Sequence, residues 1–179
     1  VSGEKPVLPL DDPEGRYTVA DTRVHSLILD EEHTLSLLRD VNRAYRTEIN
    51  DVLMTALART FSDWSGNVET LIDLEGHGRE IFSDKIDLSR TVGWFTSVYP
   101  VRLRYENGQS LQDNLKSIKE QLRQIPSRGF GFGALRYLGS RDQRELLKQA
   151  PQADVVFNYL GQFDSIIDNN PWFNVATEE

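Results

Sequence analysis

The chain contains no cysteine in its 179 residues. Disulfides, thiolate nucleophiles and cysteine-type zinc sites are therefore excluded. Basic residues are in deficit: 20 Lys and Arg stand against 28 Asp and Glu, for a formal net charge of −8 and a pI of about 4.9. So acidic a chain lacks the electrostatic footprint of a nucleic-acid binder and the basic face that an anionic membrane surface attracts. Long apolar runs are also missing. No stretch has the length of a membrane span and no leading segment resembles a signal peptide. These absences point to a cytoplasmic protein. Histidine occurs three times, as His25, His33 and His77, never as an adjacent pair. Glu75-x-His77 is a single ligand pair with no third partner nearby in sequence, so no metal site is expected. No serine lies in a nucleophile-elbow motif.

What remains is 39% hydrophobic, enough for one sizeable core or one lobe of a larger enzyme. The chain opens Val1-Ser-Gly-Glu-Lys-Pro without an initiator methionine, as an internal piece of a longer chain would. Residues 1–16 carry three prolines, two glycines and four acidic residues, a composition that reads as a linker.

Beyond residue 16, strand and helix signals interleave. Thr22 to Leu29 alternates as a strand does. Asp30 is placed to cap a helix bearing Leu35, Leu38, Val41 and Tyr45. A second helix follows Asn50, with a stripe of Leu53, Leu57, Phe61 and Trp64, and ends at Gly66. Val68 to Leu74 reads as a strand with Glu75 at its end, on the less apolar side. Ser97 to Tyr105 reads as another, closed by the Asn107-Gly108 turn. Ser110 opens a helix with Leu111, Leu115, Ile118, Leu122 and Ile125 on one face, stopped by Pro126. Gly129-Phe-Gly-Phe-Gly133 reads as a turn or a mobile flap. It is not a dinucleotide fingerprint, because a helix and a proline precede it where a strand is needed. Ser140 and Gln143 have capping-box spacing for a short helix to about Lys148. Ala153 to Leu160 is apolar on both faces, as a central strand would be. After Asp164 the pattern is turn-like. The class is α/β with a mixed sheet flanked by helices.

The polar signals cluster in Asp73-Leu-Glu-Gly-His-Gly-Arg-Glu80. Two readings stay open from the residues alone. One is a solvated loop in which Arg79 pairs with Glu75 or Asp73. The other makes Glu75 an acid/base, a carboxylate at a strand end facing a cleft. Asn158 and Tyr159 are either the satisfied polar residues of an apolar strand or part of a site. Gly93-Trp94-Phe95 suggests a packed aromatic corner, with hydroxyls from Thr96 and Ser97 beside it.

Four ordered motifs carry a resemblance: Glu75-Gly-His-Gly-Arg-Glu80, Arg90-Thr-Val-Gly-Trp-Phe-Thr96, Arg128-Gly-Phe-Gly-Phe-Gly133 with Leu135-Arg-Tyr137, and Phe157-Asn-Tyr-Leu-Gly-Gln-Phe-Asp164. Together they closely resemble the epimerization domains of nonribosomal peptide synthetases, more than the related peptide-bond-forming condensation domains. The resemblance implies a chloramphenicol-acetyltransferase-like lobe, one of two around a tunnel. It implies inversion, L to D, of the α-carbon of an aminoacyl or peptidyl thioester. The thioester would be held on the phosphopantetheine arm of a peptidyl carrier protein, with no cofactor bound directly by this chain.

By the same resemblance Glu75 is the catalytic acid/base. Asn158 and Tyr159 line the substrate site, and His77, Arg79 and Trp94 belong to it in supporting roles. The family's His-His-x-x-x-Asp-Gly motif is absent. The chain is therefore expected to be the C-terminal lobe, residues 17–179 and incomplete at its end, joined through residues 1–16 to a histidine-bearing lobe. It would be inactive without that lobe and would work among neighbouring synthetase domains. The rival reading is a non-catalytic lobe that docks the carrier or braces its neighbours.

Overall fold

The computed structural model describes residues 4–15, 18–79, 87–88 and 90–162. Glu80, Phe163 and Asp164 of the motifs above, and the turn-like tail, lie outside them.

A helical run begins at Asp30, whose carboxylate accepts from the His33 backbone N–H at 2.8 Å, the expected cap. The run comprises α1 (Glu31–Leu35), a π-helical Ser36–Asp40 and α2 (Val41–Tyr45). Helix α3 (Ile49–Ser65) follows and ends at Gly66 in the left-handed conformation. Strand β1 (Glu69–Gly76) pairs antiparallel with β2 (Ser97–Arg104) and parallel with β3 (Val155–Phe157). The sheet order is β2-β1-β3, a mixed sheet as expected. Between β2 and β3 come α4 (Leu111–Arg123), a 3₁₀ turn Pro126–Gly129, α5 (Phe130–Leu138) and α6 (Arg141–Lys148). The Ser140–Gln143 capping box forms as its spacing predicts.

The core gathers Met54 and Ala58 of α3, Ile72 and Leu74 of β1, Tyr99, Val101 and Leu103 of β2, and Ile118 of α4. Leu115 of α4 is buried as expected, whereas Leu111 at its start is exposed. Asn114, also on α4, is fully buried. Its Nδ2 donates to the carbonyls of Glu106 (2.9 Å) and Ser110 (3.2 Å), and its Oδ1 accepts from the Glu106 N–H at 2.8 Å. That side chain closes the turn between β2 and α4. Asn114→Leu would strand these backbone groups without partners. We expect a loss of about 3 kcal/mol in denaturant-unfolding stability; a change under about 0.5 kcal/mol would show the turn holds without it.

Four expectations change. Residues 22–29 form neither strand nor helix, and Val24, Leu27 and Ile28 are each more than four-fifths exposed. A strand needs a neighbour for its ladder, and none of the described residues supplies one.

Helix α3 is rotated from the expected stripe: Leu57 packs against the core, but the buried face lies beside it. Asp51, Met54, Thr55, Ala58 and Ser62 are buried, while Trp64 is exposed and stacks obliquely on Phe61, ring centroids 6.1 Å apart. Small residues let the helix approach the sheet, and their hydroxyls find partners: Thr55 donates to the Asp51 carbonyl at 2.6 Å and Ser62 to Asn107 Oδ1 at 3.3 Å.

The glycine-rich segment is the helix α5 rather than a loop. Gly131 and Gly133 lie inside it with open space where a Cβ would sit. Each glycine weakens a helix by about 1 kcal/mol, which Phe132, packed against the core, offsets. Gly129, just before α5, is the constrained one. Its φ is +78°, and a Cβ there would lie 2.2 Å from the Tyr99 ring.

Finally, β3 has three residues and flanks β1, which is the central strand of the described sheet. Val156 is exposed.

Residues 4–15 contain no helix or strand, but their first part is tied down. Arg102 Nη2 donates to the Glu4 carbonyl and Asn67 Nδ2 to the Val7 carbonyl, both at 2.9 Å, and Lys5 pairs with Asp154.

Candidate functional site

The parallel pair β1–β3 aligns Leu74 with Phe157. The two chain segments therefore leave the sheet side by side, with Glu75 next on one and Asn158 next on the other. The antiparallel partner brings the opposite end of β2 to the same edge: Glu75 lies across from Val98 and Gly76 from Ser97. Three separate motifs thus converge where the parallel strands end, the position at which open α/β sheets hold their ligands.

A cavity of about 700 Å³ opens there. Its wall includes Glu75, His77, Trp94, Asn158 and Tyr159. Five of the six expected site residues are thereby brought together. Asn158 and Tyr159 lie just past the end of β3 rather than within a strand, so their side chains are free of its alternation.

Glu75 is half-buried, and no hydrogen bond or ion pair engages its carboxylate among the described residues. The solvated-loop pairing of Arg79 with Glu75 does not form.

Arg79 stands beside the cavity, not on its wall. Its Nη1 donates to the Leu88 carbonyl at 3.1 Å and its Nη2 to that of Gly93 at 3.4 Å. Its guanidinium lies 4.5 Å from the centre of the Phe95 ring, a cation–π contact. The side chain thus ties the stretch before Trp94 to the end of β1. The Arg79 backbone N–H donates to His77 Nδ1 at 2.9 Å. With Nδ1 as the acceptor, Nε2 is the ring nitrogen left to donate toward other groups. The expected aromatic corner is built differently: Phe95 packs under Arg79, whereas Trp94 is 88% exposed and forms an open rim of the cavity.

The wall also includes residues that the sequence reading did not name as site residues, Asn50, Tyr99, Arg128 and Gly161 among them. Arg128 carries a signal that only the backbone reveals. It and Ser127 have φ of +49° and +46°, a left-handed turn that costs non-glycine residues about 1–2 kcal/mol each. The turn sets the Arg128 guanidinium 3.6 Å from Glu48 Oε1. Both side chains are about two-thirds exposed, so the pair adds little stability.

A second cavity of about 220 Å³ adjoins the first. Asn50, Leu74, Tyr99 and Arg128 line both. Asp51 borders the smaller one; burial raises its carboxyl pKa, opposed by the hydrogen bond from the Glu48 N–H. Asp73 of β1 is likewise raised by burial, with Arg136 pulling the other way.

Comparison with known proteins agrees with this architecture. The condensation-domain family model matches residues 2–174. Two linear gramicidin synthase proteins of Brevibacillus parabrevis are similar to this chain, one 46% identical over 98% of it and the other 50% identical over 87%. Bacitracin synthase 3 of Bacillus licheniformis is 46% identical over 90%. The chain spans only 2–3% of the length of these relatives. Among solved structures, the epimerization domain from the third module of tyrocidine synthetase B superposes with a TM-score of 0.82 at 40% identity, over 90% of this chain and 36% of that one. The X-domain from teicoplanin biosynthesis shares the fold at a TM-score of 0.59 and 18% identity, over 78% of this chain and 30% of that one. With its mixed sheet, its cavity at the ends of the parallel strands and a family match running nearly end to end, the chain belongs to the condensation-domain family of nonribosomal peptide synthetases.

Proposed function

We propose that this chain is the Glu75-bearing lobe of an epimerization domain, and that the complete domain inverts the α-carbon of an aminoacyl or peptidyl thioester from L to D. The observation that carries this reading is the Glu75 carboxylate, on the cavity wall and free of any ion pair among the described residues, beside Asn158 and Tyr159. The 40% identity with an epimerization domain supports it.

The substrate is delivered on the phosphopantetheine arm of a carrier protein. The thioester carbonyl acidifies the α-hydrogen. Glu75 takes that proton on one face, leaving an enolate, and a group on the opposite face returns a proton to carbon. The histidine pair of the partner lobe is that second group. The enolate oxygen needs a donor, for which the Tyr159 hydroxyl and the Asn158 amide are placed on the same wall. The exposed apolar residues Val24, Leu27 and Ile28 are suited to packing against that partner lobe.

The family also contains peptide-bond-forming domains, and one experiment separates the readings. The complete two-lobe domain, given an L-aminoacyl thioester on its carrier in D2O, is expected to incorporate α-deuterium and yield a mixture of D and L acyl groups on chiral analysis. With a second aminoacyl carrier supplied as acceptor, peptide-bond formation without exchange, the acceptor's amine displacing the donor's carrier thiol, would assign condensation instead. Neither outcome would leave a lobe that only docks or braces.

A further inference from the structure

Among the described residues, Glu75 is the one carboxylate on the wall of the larger cavity and Arg128 the one guanidinium or ammonium group. Arg128 also borders the smaller cavity. Its side chain is 65% exposed. The group therefore stands at the rim, in contact with solvent, on a wall that leads to Glu75.

The fold holds this cation there against the backbone preference of its residues. Ser127, Arg128 and Gly129 have φ of +46°, +49° and +78° in succession, a conformation that only the glycine adopts freely. Contacts on either side fix the turn. The Arg128 N–H donates to the Ile125 carbonyl at 3.3 Å, and Gly129 lies so close to the Tyr99 ring that a Cβ would overlap it. Tyr99 lines both cavities as well. Strained residues kept at a cavity rim point to a functional use. The pair with Glu48 at 3.6 Å does not supply that use, because both side chains are about two-thirds exposed and such pairs are weak. A guanidinium is a planar fork of donors, and it matches a phosphate oxygen pair better than a distant carboxylate.

The arm of a carrier-tethered substrate bears one anionic group, the phosphodiester that joins it to the carrier. The remainder is amide, hydroxyl and hydrocarbon. The phosphodiester is at the carrier end, so it stays in solvent while the thioester reaches inward. A chain of net charge −8 repels an anion at long range, and a local cation at the entrance offsets that field. Resting on the reading that the substrate arrives on such an arm, we propose that Arg128 is a binding residue for the arm's phosphodiester at the rim of the Glu75 cavity. It fixes the outer end of the arm and leaves proton transfer to Glu75.

The test is calorimetric binding of two unreactive thioether analogues to the complete two-lobe domain. One is an aminoacyl pantetheine. The other is the same molecule with a methyl phosphodiester on its terminal hydroxyl. The wild type is expected to bind the phosphodiester analogue about tenfold more tightly, the scale of one charge-assisted hydrogen bond in a solvated setting. Arg128→Gln should remove that gain and leave the affinity for the pantetheine analogue at its wild-type value. Arg128→Lys, which keeps the charge without the fork, should keep part of the gain. High salt should erase most of the gain in the wild type, a readout that depends on no substitution. A gain that survives Arg128→Gln or high salt, or no gain in the wild type, would overturn the proposal. Equal weakening of both analogues by Arg128→Gln would also overturn it, by making Arg128 a support for the turn. If neither analogue binds the wild type, the reading of an arm-borne substrate fails and the proposal with it. A domain that binds both but does not epimerize is recognised separately, by absent α-deuterium exchange.

Discussion

Glu75→Gln in the complete two-lobe domain is expected to lower α-proton exchange by about 10³-fold or more, at an unchanged melting temperature. The rate falls because of what a carboxamide cannot do. It matches the carboxylate in shape but has no basic oxygen to take a proton from carbon, and a positioned general base contributes roughly 10²–10⁴-fold. Stability is kept because of the setting. Glu75 is half-buried at the end of β1 and its carboxylate has no ion pair or hydrogen bond among the described residues. Its removal therefore leaves no partner stranded, unlike the loss of one half of a buried pair. Deuterium incorporation at the α-carbon, followed by mass spectrometry with the acyl group still on its carrier, reads the first quantity. Thermal unfolding reads the second. Exchange within tenfold of wild type would remove Glu75 from the proton-transfer step. A fall in melting temperature accompanying the fall in rate would make Glu75 a structural residue instead.

How much of this site was legible beforehand depends on the distance over which each signal acts. The caps at Asp30 and Ser140, the turn at Asn107-Gly108 and the interruption at Pro126 are local, and the fold contains them. Glu75 at a strand end followed from alternation alone. The juxtaposition of Glu75 with Asn158, more than eighty residues away, did not: no periodicity encodes the parallel β1–β3 pairing, and only the resemblance placed them in one site. Where tertiary contact decides, the local pattern misled. The large apolar residues of α3 suggested one buried face, but close approach to the sheet selected Thr55, Ala58 and Ser62. Alternation at residues 22–29 suggested a strand, but no described strand lies alongside. Glycines at 131 and 133 suggested a loop, although packing of Phe132 holds them in a helix. The sequence starts the second helix after Asn50, whereas the helix already includes it as its second residue, with Glu48 at the cap.

The second large effect is expected at Gly78. This residue has φ of +66°, and a Cβ built on it would lie 1.5 Å from the Phe95 carbonyl oxygen and 2.5 Å from its carbon. Both atoms belong to the backbone, so no side-chain rotation relieves the overlap. Gly78→Ala must either flip the peptide at 78 or push the 93–96 segment away from β1. A left-handed alanine alone costs about 1–2 kcal/mol, and displacing the neighbouring backbone adds to it. The displaced segment is the one that Arg79 holds through Leu88, Gly93 and the Phe95 ring, and it carries Trp94 onto the cavity wall. We expect at least about 2 kcal/mol of lost stability. The exchange rate should also fall at least tenfold, because small displacements around a reacting centre are costly. Gly108→Ala is the matched control: a Cβ there meets nothing within 4 Å and its φ is not in the left-handed range, so stability and rate should stay at wild-type values. The pair tests whether the two motifs touch through backbone at Gly78. If both alanine variants behave alike, the close approach of Phe95 is wrong, and with it the account of why glycine separates His77 from Arg79.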